Sequence, residues 1–176
     1  NLVMQLRPNE EGEWTYSFQA EGTPLINESE LGFELVGDDD IPGEGWKVND
    51  VSKRKVRDVW KPIWGKRTEV DDHFNEVVLE LSRKGAFPEK ITLVARAYND
   101  GVAFQYRIPE DLAGEAKVES EETSYNFADD YTAWYYNGEY HNLGPERLTE
   151  TGEERLPVMT IQAGDRHFMA IHEADL

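Results

Sequence analysis

Apolar side chains recur at every second position through most of this chain, and that period limits what it can fold into. Trp14, Tyr16 and Phe18 alternate with Thr15, Ser17 and Gln19, and Leu31, Phe33 and Leu35 repeat the pattern. Val77, Leu79 and Leu81 alternate with Glu76, Val78 and Glu80. Ile91, Leu93, Ala95 and Ala97 alternate with Thr92, Val94, Arg96 and Tyr98; Val102, Phe104, Tyr106 and Ile108 alternate with Ala103, Gln105 and Arg107. Successive side chains of a strand point to opposite faces, so each run reads as a half-buried strand. Asn99-Asp100-Gly101 predicts a tight hairpin with Gly101 at positive φ. Ala163-Gly164-Asp165-Arg166 predicts a second turn, between Pro157–Gln162 and His167–His172. No stretch of ten residues carries a convincing 3.6-residue period. The expectation is all-β, with about ten short strands in two mostly antiparallel sheets, because a single sheet that wide curls or splits into a sandwich.

Gly37–Gly45 (GDDDIPGEG) reads as a loop. Residues 110–154 hold thirteen acids and two bases, with strands expected only at Thr123–Phe127 and Tyr131–Tyr136. Neither a repeat nor a domain boundary is visible, so residues 1–176 read as one domain. At 176 residues, with 7 Phe, 8 Tyr and 5 Trp, the chain can build a core without staples. No cysteine is present, which removes disulfides, thiolate nucleophiles and Cys-ligated zinc together. No run of about 18 apolar residues suits a membrane-spanning helix. A leader peptide is likewise not expected in a mature or trimmed product.

Acids outnumber bases 36 to 18, for a formal charge of −18. Such a chain repels phosphate backbones and anionic lipid, so neither nucleic acid nor a membrane surface is expected as a partner. One segment runs the other way. Residues 53–67 (KRKVRDVWKPIWGKR) carry seven bases and one acid. This basic island is either a docking surface or a strand face that neutralises nearby acids.

Few residues suggest chemistry. The four histidines are His73, His141, His167 and His172; the last two lie five apart on one predicted strand, on opposite faces, and so cannot chelate one ion together. Neither a phosphate-binding Gly-rich loop nor a nucleophile elbow occurs. Asp38-Asp39-Asp40 lacks the alternating ligands of a calcium loop and reads as a solvated turn. Glu173 and Asp175 are the carboxylates that stand out. They follow the apolar run Phe168–Ile171 among Ile171, Ala174 and Leu176, where an acid needs a partner, a proton or a metal. Trp60-Lys61-Pro62-Ile63-Trp64-Gly65 sets two indoles four apart, as a rigid edge, a core element or a sugar-stacking platform.

Several segments in order resemble one family. They are Pro24-Leu25-Ile26 through Ser29-x-Leu31-Gly32-Phe33, Trp60–Gly65, Phe74-Asn75-Glu76 and Arg96-Ala97-Tyr98-Asn99-Asp100-Gly101-Val102-Ala103-Phe104-Gln105-Tyr106. Pro157–Thr160 and Ala170-Ile171-His172-Glu173-Ala174-Asp175-Leu176 complete the series. Together they resemble the amino-terminal domain of glycoside hydrolase family 97, bacterial α-glucosidases and α-galactosidases, over nearly the whole chain. The resemblance implies a galactose-mutarotase-like β-super-sandwich, followed in the parent enzyme by a (β/α)₈ catalytic barrel and a small carboxy-terminal β-domain. The general acid and the base or nucleophile would lie on that barrel, so this domain would be non-catalytic. Its partners would be its own barrel and an oligosaccharide substrate, in the periplasm or outside the cell. By motif, Glu173 would donate a carboxylate to an active-site calcium. Calcium needs six to eight oxygens, so the isolated chain is expected to bind it weakly or not at all. Two departures from the family pattern are Gln105, where an Arg is usual, and the polar turn Asn9–Glu13.

Two rivals remain at this point. One is a stand-alone carbohydrate-binding module that stacks sugar on Trp60, Trp64, Trp134 and Tyr135. The other is an aldose-epimerase-like enzyme using His172 with Glu76, a suggestion from fold analogy alone.

Overall fold

A computed structural model describes residues 1–10, 12–36, 45–112, 114–138, 141–152 and 155–173. Among these residues there are thirteen strands and no helix, as the period-two pattern requires. Strands β1 (Leu2–Pro8), β2 (Trp14–Ala20) and β3 (Thr23–Glu30) form an antiparallel meander. A short β4 (Phe33–Leu35) pairs with β9 (Val118–Glu121). β5 (Lys47–Trp60), β6 (Val70–Ser82), β7 (Lys90–Ala97) and β8 (Val102–Arg107) make a four-stranded antiparallel sheet in chain order. β10 (Thr132–Tyr136), β11 (Asn142–Arg147), β12 (Leu156–Ala163) and β13 (His167–Ile171) make the fourth sheet, in the order β11-β10-β12-β13. The chain separates into two compact units, 1–126 and 127–176.

In the first unit, alternation decides the layers. Leu79 pairs with Leu93 and Leu81 with Ile91 across β6 and β7, and all four are buried. Leu93 and Ala95 pair onward with Tyr106 and Phe104 of β8. The buried Tyr16 of β2 meets this face, its ring 6.1 Å from that of Phe104, and Phe33 stands edge-on to Tyr106 at 4.7 Å. Two antiparallel sheets meeting through interdigitated apolar faces form a β-sandwich. The Tyr16 hydroxyl donates to the Ser124 carbonyl at 2.9 Å, and burial, reinforced by Tyr125, pushes its phenol pKa well up.

Two local expectations are corrected. Gly101 does not take positive φ. Ala97 pairs with Val102 and Tyr98 N–H donates to the Gly101 carbonyl at 2.8 Å, so the loop holds four residues. Loops of that length usually close on a type I turn, which needs no left-handed residue. Gly164, between β12 and β13, does adopt φ +70. Thr123–Phe127 is not a strand; the strand lies earlier, at β9. Ser124 Oγ accepts the Glu30 N–H at 2.7 Å, a position where a ladder would use a carbonyl. Such side-chain substitution stitches the segment to β3 without regular pairing. The loop expected over Gly37–Gly45 and its Asp38-Asp39-Asp40 run lie outside the described residues, except for Gly45.

Gly144 of β11 has φ +105, and a Cβ added there would stand 2.4 Å from the Ala133 carbonyl oxygen of β10. Gly144→Ala is therefore expected to destabilise the protein by about 3 kcal/mol, from backbone strain and overpacking together. Urea unfolding checks this; an unchanged midpoint contradicts it.

Candidate functional site

Glu173 lies two residues beyond the end of β13 and is exposed. One face of its sheet is closed, with Ala133 and Ile161 fully buried. Elsewhere the same sheet leaves Tyr136, Leu156, Val158 and Phe168 exposed, Phe168 at 64%. Among the described residues Glu173 makes no hydrogen bond or ion pair. Its candidate companion Asp175, with Ala174 and Leu176, lies outside the described residues. Among the described residues no group of three or more His, Cys, Asp or Glu could hold a metal ion. Calcium takes six to eight oxygens, so this donor set fits the ion only as one member of a larger shared site.

Glu76 is the contrasting acid. It sits mid-strand on β6, opposite Arg54 of β5 on one side and Arg96 of β7 on the other. Its side chain is 2% exposed. Arg54 Nε donates to one carboxylate oxygen, and Arg96 Nε donates to the other at 2.7 Å. Arg96 also lies over the Phe74 ring, 4.3 Å from its centroid, and Phe74 packs at 5.2 Å from Tyr98. The hydrogen bond from Arg54, aided by Arg96 against the opposing cost of burial, holds the Glu76 carboxyl below its ordinary value. A carboxylate gripped by two guanidiniums is a poor proton acceptor. The pairing of Glu76 with His172 as an epimerase acid–base couple therefore loses its carboxylate.

The histidines sit on separate elements, and among the described residues no three of them form a metal-binding group. His73 pairs across the ladder with Arg57, His141 precedes β11, and His167 opens β13 opposite Ala163. His172 falls past the end of β13 instead of on it. The four proposed stacking aromatics differ in exposure. Tyr135 is buried, its hydroxyl donating to Glu146 at 2.8 Å and accepting Gly152 N–H at 3.3 Å, so it offers no open face. Trp134, adjacent on β10, is half-buried. Trp60 and Trp64 are exposed, at the end of β5 and in the 61–69 connection. Gln105 accepts from Arg107 Nε at 3.0 Å, and so has a local partner. The polar turn Asn9–Glu13 closes β1 onto β2, with Asn9 N–H donating to the Glu13 carbonyl at 2.8 Å.

Among the described residues the molecule is thus all-β, with Glu173 unpaired beyond β13 and no complete metal cluster. It belongs to the glycosyl hydrolase 97 N-terminal family, whose model matches residues 1–176. A retaining α-galactosidase from Bacteroides thetaiotaomicron is 25% identical to it, over 92% of this chain and 26% of that protein. A glycoside hydrolase family 97 enzyme from Pseudoalteromonas sp. strain K8, solved in complex with acarbose, superimposes with a TM-score of 0.80 at 24% identity. That match covers 100% of this chain and 27% of the enzyme. A β-arabinopyranosidase matches with a TM-score of 0.64 at 23% identity, over 76% of this chain and 21% of its own. The chain spans about a quarter of the relatives it matches.

Proposed function

We propose that residues 1–176 act as the non-catalytic amino-terminal domain of a bacterial exo-acting α-glycosidase, an α-glucosidase or α-galactosidase. The domain packs on the catalytic barrel and donates the Glu173 carboxylate to a calcium ion in the active site. One observation carries this reading: Glu173 is exposed and unpaired among the described residues, at the end of a sheet that leaves Leu156, Val158 and Phe168 uncovered. Exposed apolar surface beside an unused charge is what a junction requires before its other half is added. The family membership supports it as well, since the chain corresponds to a quarter of enzymes that hydrolyse glycosides.

Within that site a bound calcium would supply a fixed positive charge beside the glycosidic oxygen. This chain's contribution is narrower. Glu173 brings an anionic oxygen to the junction and ties the domain to its neighbour. Glu76, locked by Arg54 and Arg96, keeps β5, β6 and β7 in register and is held in its ionised form at neutral pH. The chain alone is therefore expected to show no turnover of aryl α-glucosides or α-galactosides, with near-ultraviolet circular dichroism confirming that it is folded. Calcium-dependent hydrolysis by these 176 residues contradicts the reading. A free-sugar-binding module is the second reading, favoured only by the exposure of Trp60 and Trp64.

A further inference from the structure

The β5–β6 hairpin outruns its sheet. β7 pairs with β6 only from Asn75 to Ser82, so Val70–Phe74 of β6 have β5 as their single ladder partner. Val56–Trp60 and Val70–Phe74 thus form the stem of a two-stranded arm, and residues 61–69 form its tip, closed at the neck by Lys61 and Glu69 3.3 Å apart. Charge is sorted along this arm. The tip carries Lys61, Lys66 and Arg67 against Glu69, while the stem carries Asp58, Asp71 and Asp72 against Arg57. Asp58 and Asp72 stand directly opposite each other across the ladder, and like charges so placed repel. Asp58 accepts the Val59 N–H at 2.8 Å, and among the described residues no cation pairs with either acid. Lys66 and Arg67 at the tip are exposed and have no partner among the described residues. Ile63 is fully exposed and Trp64 is 87% exposed, while Trp60, half-exposed, lies on the same face of the stem as Asp58 and Asp72.

We infer that the arm is a two-fold contact between two copies of this chain, the tip of each lying along the stem of the other. A surface basic at one end and acidic at the other becomes its own complement when turned about a two-fold axis. Lys66 and Arg67 of one copy then meet Asp58 and Asp72 of the second, which relieves a repulsion that the stem does not relieve by itself. Ile63 and Trp64 fall against Trp60 of the second copy, and the reciprocal set forms across the axis. Trp60, Ile63 and Trp64 expose about 500 Å² on each copy, so a symmetric contact buries about 1,000 Å² of apolar surface from these side chains alone. Specific interfaces begin at roughly 1,200 Å² counted over both partners, a total that the stems of Lys66 and Arg67 help to reach. The net charge of −18 opposes approach at long range, but salt screens it beyond about 8 Å, where the matched ends of the two arms take over.

The test is sedimentation velocity on the full-length enzyme over a concentration series, with circular dichroism to show that each variant is folded. The parent is expected to be a dimer at about 10 μM. Lys66→Glu with Arg67→Glu makes both ends of the arm acidic, and Asp58→Lys with Asp72→Lys makes both basic. Each pair of substitutions should raise the dissociation constant about 100-fold and leave a monomer. Mixing the two variants should restore a dimer of one copy of each, because every tip then meets a stem of opposite charge. Ile63→Ser with Trp64→Ser, confined to the exposed tip, is a second break that leaves the stem intact and should also give a monomer. A monomeric parent, as would follow if the catalytic part covers the arm, overturns the dimer and leaves the reading of Glu173 untouched. A parent dimer that survives the substitutions, or a mixture of the two charge variants that stays monomeric, overturns it as well.

Discussion

Glu173→Gln in the full-length enzyme is expected to raise the calcium concentration for half-maximal hydrolysis by about 10- to 100-fold, the range seen when even the supporting shell of a metal site is altered. The amide keeps an oxygen at the same reach but loses the negative charge that sets affinity for a hard cation. Glu173→Asp keeps the charge and shortens the arm, so it should fall between the two. Stability of the calcium-free enzyme should not move, because Glu173 is exposed and makes no hydrogen bond or ion pair among the described residues. Calcium titration of the hydrolysis rate, alongside thermal unfolding in chelator, separates the two effects. An unchanged calcium requirement in Glu173→Gln would remove the residue from the site.

Glu76→Ala should produce the opposite profile, a large loss of stability with no special link to calcium. It strips the carboxylate from between two guanidiniums and leaves a hole beneath them. Breaking a buried ion pair by removing one partner costs about 3 kcal/mol or more, on the order of a 10 °C fall in Tm for a domain of this size. The pH dependence follows from the lowered pKa. The folded carboxyl ionises below its ordinary value of 4.5, so the unfolded chain binds more protons in that range. The contribution is fully present above the unfolded pKa and is lost as pH falls through the folded pKa. Glu76→Gln cannot titrate, so its deficit relative to the parent should be largest at pH 7 and shrink on acidification below about pH 4.5. Urea unfolding at both ends of that range checks it; parallel curves contradict the assignment.

The strands that bury one face were legible from alternation, and β2, β6, β7 and β8 appear where Trp14–Phe18, Val77–Leu81, Ile91–Ala97 and Val102–Ile108 predicted them. β5 was not, for a physical reason. Almost every residue from Lys47 to Trp60 is exposed, so no apolar face imposes a period, and the segment announces itself only as charge. Its role as an outer strand also explains the lysines, which discourage edge pairing. The Arg54–Glu76–Arg96 cluster was equally hidden. Glu76 sits between Phe74 and Val78 on its own face, but the arginines are 22 and 20 residues away and meet it only through the register of two ladders. The Thr123–Phe127 error has a similar origin, since a serine hydroxyl standing in for a backbone acceptor leaves no trace in hydropathy. Glu173 could be singled out as an acid closing an apolar strand, but its tie to calcium came from family resemblance and not from spacing.

The decisive question is whether the ligand sphere of an active-site ion is completed from this domain. A crystal structure of the full-length enzyme with calcium measures that directly. The prediction is a Glu173 carboxylate oxygen about 2.3–2.6 Å from the ion, with the remaining ligands drawn from the catalytic part. A calcium ion whose oxygens all come from other residues, with Glu173 turned to solvent, would contradict it.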